Sequence, residues 1–566
     1  MQDLPWSKAY PPGLRWDAVV DTQPVCQVLD DAVRQAPQHI AIEFNGKQLT
    51  YAELQQYVAQ AAKGLQLLGI RPGTKVGLFL LNTPHYVISF FAILRIGAVV
   101  VNYSPLDAEK VLAHKVEDSE TDVIITLDTP ALYPVMDKLL EVTRLQYLVI
   151  GNMAEMSAWS SAGGDAALHE APCQIQWTDR HVRYAELLAN DGDYESVAVC
   201  DLQEIAVLQY TGGTTGMPKG AMLTHSTLTA ACMQARLNLA SGGTGLAFGK
   251  ETFLVVLPLF HIYALTFNLL LGIHLAAKLV IHARFDVRAA VTDLTEKRVS
   301  VFFGVPTMFT AVNGLPGVEH ADFSSLKLSN SGGAPLPVEV HERFQQLTGC
   351  TLREGWGMTE VCGVGTNTPP QRPHKIGSCG VPMCGVTIKF VSVDDPAVQV
   401  DYGKQGEICI RGPNVMKGYW KNPEASESAM TSDGFLRTGD VGYMDNEGFL
   451  WIVDRIKDMM LVSGFNVYPR NIEEAIYKHP SVAEVIVIGV HDEYRGQSPK
   501  AYVRLKEGAD AISLDELKTF LKPYLGKHEM IQALELRSEL PKTAVGKLSR
   551  KDLHDEAKRK VQTNDG

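Results

Sequence analysis

The sequence predicts an α/β protein: a large N-terminal part of two layered α/β subdomains plus a small β-barrel, followed by a small α+β C-terminal domain. Three observations carry this. Strand-length apolar runs alternate with helical periodicity over residues 40–102 and again over 205–354, the pattern of a parallel sheet covered by helices on both faces. Past Gly385 the helices give way to short strands and turns, as at 406–412 and 448–453. A charged break, Asp454-Arg455-Ile456-Lys457-Asp458, then precedes a compact remainder of mixed helix and strand.

The first elements are marked by their punctuation. Runs at 40–44 and 48–50 flank Asn45-Gly46, a hairpin signal. Thr50 with Glu53 forms a capping box, and Leu54, Val58, Ala61, Leu65 and Leu68 line one helical face up to Gly69. A strand at 75–80 follows. Thr83-Pro84 reads as an N-cap with proline in the first turn, and Gly97 closes that helix before a strand at 98–102. Residues 153–173, rich in Ala, Ser and Gly, read as a surface excursion without nameable chemistry. In the tail, a helix at 471–477, strands at 485–490 and 501–505, and a capping box at Ser513 with Glu516 make an α+β unit.

Composition excludes several classes. A chain of 566 residues is long enough for more than one domain and a large core. A net charge of −12 without a long basic run argues against nucleic-acid binding. Nine cysteines without a Cys-x-x-Cys pair or zinc-like spacing fit a reducing, cytoplasmic setting. Residues 1–16 lack the apolar core of a secretory signal. Residues 253–277 have the length of a membrane span, but Pro258, His261 and His274 interrupt them, so they read as a buried strand leading into a buried helix. Peripheral membrane contact stays open.

The loops after the strands carry the chemistry. Strands are expected at 205–210, 253–257, 278–282, 299–303, 326–329 and 351–354. Ligands bind beyond the carboxyl ends of such strands, so the loops that follow should converge on one cleft. The first loop, residues 210–220, reads Tyr-Thr-Gly-Gly-Thr-Thr-Gly-Met-Pro-Lys-Gly. Gly212, Gly213 and Gly216 let successive N–H groups face one anion, Thr211, Thr214 and Thr215 add neutral donors, and Lys219 adds a cation. It is a phosphate cradle but not a P-loop, because Pro218 precedes the lysine and Gly220 follows it. A linker would not lie between two apolar runs.

Other candidates have bland readings beside the functional ones. Glu360 ends the glycine-rich turn Gly355-Trp356-Gly357-Met358-Thr359-Glu360, from which a carboxylate could hold Mg²⁺ against phosphate oxygens. Asp440 could accept both hydroxyls of a ribose or serve as a turn aspartate. Gly332, Gly333 and Ala334 allow close backbone approach to a flat ring; Trp356 offers an aromatic face or fills the core. His261 sits in an apolar setting, where a core histidine is the commoner outcome, and Lys547 taken alone is a solvated lysine.

Together, the 210–220 loop, the 355–360 turn, Thr438-Gly439-Asp440, Asp454-Arg455 and Gly546-Lys547 resemble the adenylate-forming superfamily of acyl-CoA synthetases, nonribosomal adenylation domains and luciferases. The runs at 433–440 and 462–469 look most like bacterial medium- and long-chain fatty acyl-CoA synthetases. The resemblance implies a two-step reaction. A carboxylate attacks the α-phosphate of Mg-ATP, giving acyl-adenylate and pyrophosphate; the coenzyme A thiolate then attacks the acyl carbon and releases AMP.

The resemblance also implies roles. The 210–220 loop with Lys219 would hold the β- and γ-phosphates, and Glu360 and Thr215, with Thr359, would serve Mg²⁺ and phosphate. Gly332, Gly333 and Ala334 would line adenine, with Trp356 stacked on it inside the Gly355 to Thr359 turn; many relatives carry tyrosine there. Asp440 and Arg455 would bind ribose. Lys547 would bridge the substrate carboxylate and α-phosphate, and His261 would stand between the acyl pocket and the coenzyme A entry. The tail domain, residues 457–566, would rotate on residues 1–456 at Lys457 and bring Gly464 to the pantetheine passage. A dicarboxylate of pimelate type or an aryl acid could replace the fatty acid, and a noncatalytic lipid or nucleotide carrier is the reading from another class. A homodimer and the inner membrane face stay open.

Overall fold

The computed structural model describes residues 4–10, 13–158, 171–211, 217–240, 244–370, 372, 375–463, 465–492, 494–543 and 547–564. Two large sheets form the N-terminal part. In the seven-stranded one, His181–Arg183, Tyr147–Gly151, Thr121–Leu127, Lys75–Leu78, Val99–Asn102 and Ile205–Tyr210 lie side by side and parallel, and Gly220–Thr224 closes the edge antiparallel. The nine-stranded sheet has a parallel centre of Ile40–Phe44, Lys278–Ile281, Thr252–Val255, Val301–Gly304, Leu328–Ser331 and Leu352–Trp356. Antiparallel strands flank that centre: Lys47–Thr50 on one side, Thr366–Asn367 and Val381–Pro382 on the other. The expected α/β layering is therefore present twice.

Local chemistry explains the early elements. Asn45 and Gly46 both take positive φ, 46° and 76°, as a tight hairpin between twisted strands requires. The helix Tyr51–Leu67 starts on a complete capping box, with Glu53 N donating to Thr50 Oγ1 at 3.2 Å and Thr50 N to Glu53 Oε2 at 2.7 Å. Helix Pro84–Arg95 begins where expected, yet Thr83 makes no side-chain cap bond; proline in the first turn leaves one fewer N–H to satisfy.

The apolar stretch after residue 252 is core. Strand Thr252–Val255 leads to a helical run, Ile262–Ala264, that widens into a π-helical turn, Leu265–Leu270, and ends at Leu271–His274. Every residue of the π turn is buried, and Thr266 Oγ1 donates to the carbonyl of Cys362 at 2.7 Å, joining this helix to the loop after Glu360. Among the described residues, no helix is long and apolar enough to cross a membrane.

The region read as a small β-barrel is a five-stranded antiparallel sheet in the order Gln399–Val400, Thr387–Val391, Gly406–Arg411, Leu436–Met444 and Leu450–Arg455. Asp454 and Arg455 continue its last strand, so the charged break begins two residues later, at the 3₁₀ turn Ile456–Asp458. Beyond it, Val482–Asp492 and Gly496–Leu505 pair over their whole length, with Met460–Val462, Phe465–Val467 and Ala533–Leu536 alongside. Helices Pro469–Tyr477 and Leu514–Leu521 supply Ile472, Ile476 and Leu517 to a core separate from the N-terminal one. Part of the 153–173 excursion lies outside the described residues.

Candidate active site

Ile205–Tyr210 and Gly220–Thr224 pair antiparallel, and Thr211 N donates to Lys219 O at 2.9 Å, so the phosphate loop is pinched at both ends. Gly212, Gly213, Thr214, Thr215 and Gly216 lie outside the described residues, as does Gly464. At the base, Tyr210 Oη donates to Asp118 Oδ2 at 2.5 Å. The segment after Val415 straps the outer edge: Met222 N donates to Gly418 O at 2.9 Å, Lys417 N to Met222 O at 3.0 Å, and Trp420 N to Gly220 O at 2.7 Å. The strap is therefore hydrogen-bonded to the strand that follows the loop.

Glu360 lies in the short turn Thr359–Val361 and is only 6 % exposed. Burial raises its carboxyl above the usual range, opposed by a hydrogen bond from Tyr419 Oη to its Oε1 at 2.8 Å. The Tyr419 ring also receives Lys219, whose Nζ lies 5.1 Å from the ring centroid. Tyr419 thus joins the expected metal carboxylate to the expected phosphate cation. Its signal in the sequence is Lys417-Gly418-Tyr419-Trp420-Lys421, an aromatic pair bracketed by lysines, which carries no recognisable spacing until the strap is seen.

The glycines of the 355–360 turn answer to backbone crossing. A Cβ on Gly355 would lie 2.5 Å from Asn367 Nδ2, and one on Gly357 would collide with the carbonyl of Gly363. Met358 packs half-buried against the main core, and Thr359 is half-buried. Trp356, 8 % exposed, points its indole Nε1 at Asp440 Oδ2, 2.7 Å away. The other oxygen, Oδ1, lies 3.2 Å from Arg455 Nε, because Asp440 and Arg455 face each other across adjacent strands. Asp440 holds the Arg455 guanidinium above its usual range. The core reading of Trp356 fits its burial, and its indole N–H bonds the Asp440 carboxylate.

Lys547 reaches this cluster from the tail. Gly333, with φ of 82°, has Lys547 where a side chain would be: a Cβ there would collide with Lys547 Cε. Desolvation lowers the Lys547 ammonium to about 8, with Arg455 pushing the same way and Asp440 opposing. Lys547 in turn reinforces the desolvation that holds His261 at about 3. His261 Nδ1 accepts the Tyr263 N–H at 3.2 Å, so the neutral ring carries its proton on Nε2. Gly332 lies against the Tyr263 ring, 3.0 Å from where its Cβ would be, and Ala334 is half-buried. Tyr263 itself bonds Asn330 through its hydroxyl, at 3.1 Å.

Arg550, three residues beyond Lys547, fixes that arrangement. Its guanidinium lies 3.1 Å from Asp454, 3.2 Å from Asp458 and 2.6 Å from Glu473. These contacts bracket Lys457, whose ammonium burial lowers.

Among the described residues there is no cluster of three His, Cys, Asp or Glu side chains able to hold a metal. A single buried carboxylate, Glu360, fits Mg²⁺, which takes one or two carboxylates and completes its shell with waters and phosphates.

The AMP-binding enzyme family matches residues 29–420, and the family of the AMP-binding enzyme C-terminal domain matches 471–547. The chain is 35 % identical to a long-chain-fatty-acid–CoA ligase of Bacillus subtilis (strain 168) over 556 residues, 98 % of each chain. It is also 35 % identical to a feruloyl-CoA synthase of Amycolatopsis sp over 516 residues, 91 % of this chain and 95 % of that one. Among solved structures it resembles ATP-bound MatB from Rhodopseudomonas palustris, with a TM-score of 0.83 at 24 % identity, covering 95 % of this chain and 99 % of that one.

Proposed function

The chain belongs to the AMP-binding enzyme family, and from that premise we propose that it is an ATP-dependent fatty acid–CoA ligase working through an acyl-adenylate. The observation that carries the reading is Lys547, drawn from the tail into a cluster with Gly333, Asp440, Arg455 and His261. A carboxylate is a poor electrophile, and adenylation replaces an oxide leaving group by a phosphate monoester. Negative charge gathers at the α-phosphorus as pyrophosphate departs, so a partly desolvated ammonium is well suited to stabilise it.

The other side chains divide the remaining work. Lys219, with the 211–216 segment, holds the departing phosphates. Asp440 and Arg455 hold ribose, with Trp356 orienting Asp440; Gly332, Gly333 and Ala334 border adenine. His261, neutral and donating from Nε2, stands at the acyl side. Glu360 and Thr215 would hold Mg²⁺, which would supply neutralisation of phosphate charge. In the second step the coenzyme A thiolate forms the thioester bond and the acyl–phosphate bond breaks, releasing AMP. Residues 457–566 turn on 1–456 at Lys457 between the steps, carrying Gly464 toward the pantetheine.

The test is a panel of saturated acids from six to eighteen carbons with ATP, Mg²⁺ and coenzyme A, reading AMP and acyl-CoA. Release of neither product overturns the reading. A second reading, an aryl acid, rests on the feruloyl-CoA synthase likeness and on the Tyr263, Phe267 and Phe303 rings clustered beside Gly332. Turnover of ferulate but of no fatty acid selects it. The same proposal places the chain in the cytoplasm; peripheral contact with the inner membrane face and a homodimer are left to vesicle sedimentation and to mass measurement in solution.

A further inference from the structure

We propose that Tyr419 is a positioning residue that sets the metal-side carboxylate Glu360 and the phosphate-side cation Lys219 relative to one another. The inference rests on the reading of Glu360 as the Mg²⁺ carboxylate. Its basis is that one side chain touches both groups, through different chemistry: the hydroxyl donates to Glu360 Oε1 at 2.8 Å, and the ring face lies under Lys219 Nζ at 5.1 Å. Among the described residues, Tyr419 is the one side chain that hydrogen-bonds the Glu360 carboxylate.

The tyrosine is itself held. Tyr419 N donates to Ser426 Oγ at 2.8 Å, and Tyr419 pairs with Ala221 in an isolated bridge on the strand that closes the phosphate loop. Met416 N, on the same strap, donates to the carbonyl of Glu360 at 2.8 Å. Trp420, the next residue, turns the other way: its Nε1 donates to Asp118 O at 2.9 Å, and Lys75 Nζ lies 4.7 Å from its ring centroid. Alternation along the strap therefore sends one aromatic to the site and one to the end of helix Glu109–Ser119. Glu360, Lys219 and the strand edge are thus joined through the strap.

A carboxylate with one oxygen taken by a fixed donor keeps its other oxygen in a set direction, which a divalent cation bridging to phosphate requires. A lysine resting on an aromatic face loses rotamers it would otherwise sample. The two contacts should thus be separable by substitution.

The experiment uses full-length enzyme, with Mn²⁺ binding in the presence of ATP followed by electron paramagnetic resonance, beside the Mg²⁺ dependence and the KM for ATP of pyrophosphate release. Tyr419→Phe keeps the ring and loses the hydroxyl: Mn²⁺ affinity should fall about tenfold, and the KM for ATP at saturating Mg²⁺ should hold. Tyr419→Leu should weaken Mn²⁺ equally and raise the KM for ATP as well. Trp420→Phe, which cuts the strap's other anchor, should leave Mn²⁺ affinity unchanged; a fall equal to that of Tyr419→Phe would make the effect one of general strap stability and overturn the proposal. Glu360→Gln separates the two readings. If it weakens Mn²⁺ while Tyr419→Phe does not, the role of Tyr419 is wrong and that of Glu360 stands. If neither weakens Mn²⁺, the Glu360 reading falls and takes this one with it.

Discussion

An ammonium removed from water gives up its proton more readily, and Lys547, lowered to about 8, has to be charged in the role proposed for it at the α-phosphate. The sign follows from the direction of the shift: the protonated form dominates below about 8 and is lost as pH rises through that value. In the free enzyme, kcat/KM for adenylation should therefore fall on the alkaline side of about 8, and Lys547→Arg, which stays charged throughout, should abolish that limb. Initial rates of pyrophosphate release across pH 6 to 10 read both. Trp356 offers a second residue-scale prediction. Among the described residues, its Nε1 is one of two side-chain partners of the buried Asp440 carboxylate, so Trp356→Phe should cost about 1–2 kcal/mol of ATP binding, about a five- to thirtyfold rise in KM, with kcat less affected.

At the scale of elements, the 355–360 turn is held by what crosses it. Gly357 passes against the carbonyl of Gly363, so Gly357→Ala should lower stability by about 1–3 kcal/mol, read as a drop in Tm by scanning calorimetry. The sequence marked this turn as glycine-rich but could not say what its glycines pass against, because the Gly363 and Asn367 contacts come from chain that folds back on the turn. The hairpin at Asn45-Gly46 and the capping boxes at Thr50 and Ser513 were readable for the opposite reason: their signals are complete within a few residues. Tyr419 was not readable. Its partners, Glu360 and Lys219, lie 59 and 200 positions away, and only the pairing of the strap with Gly220–Thr224 brings them together.

For the whole molecule, the alternation of strands and helices foretold two parallel sheets, because burial on both faces leaves that periodicity in the chain. It did not foretell which tail arrangement is stable. Lys547 beside Gly333 joins the tail to the loop after an N-terminal strand, and Arg550 joins Asp454 at the end of the five-stranded sheet to Asp458 and Glu473 of the tail, with no local pattern to announce either. In the proposed reading, an arrangement with Lys547 beside Gly333 serves the adenylation step. The most direct measurement is acid-dependent exchange of labelled pyrophosphate into ATP without coenzyme A, run beside thioester formation from supplied acyl-adenylate. The account predicts exchange only when both a fatty acid and Mg²⁺ are present, and a loss of about 10²–10³-fold in Lys547→Ala with thioester formation retained. Absence of exchange with every acid tested, or equal loss of both half-reactions in Lys547→Ala, would contradict it.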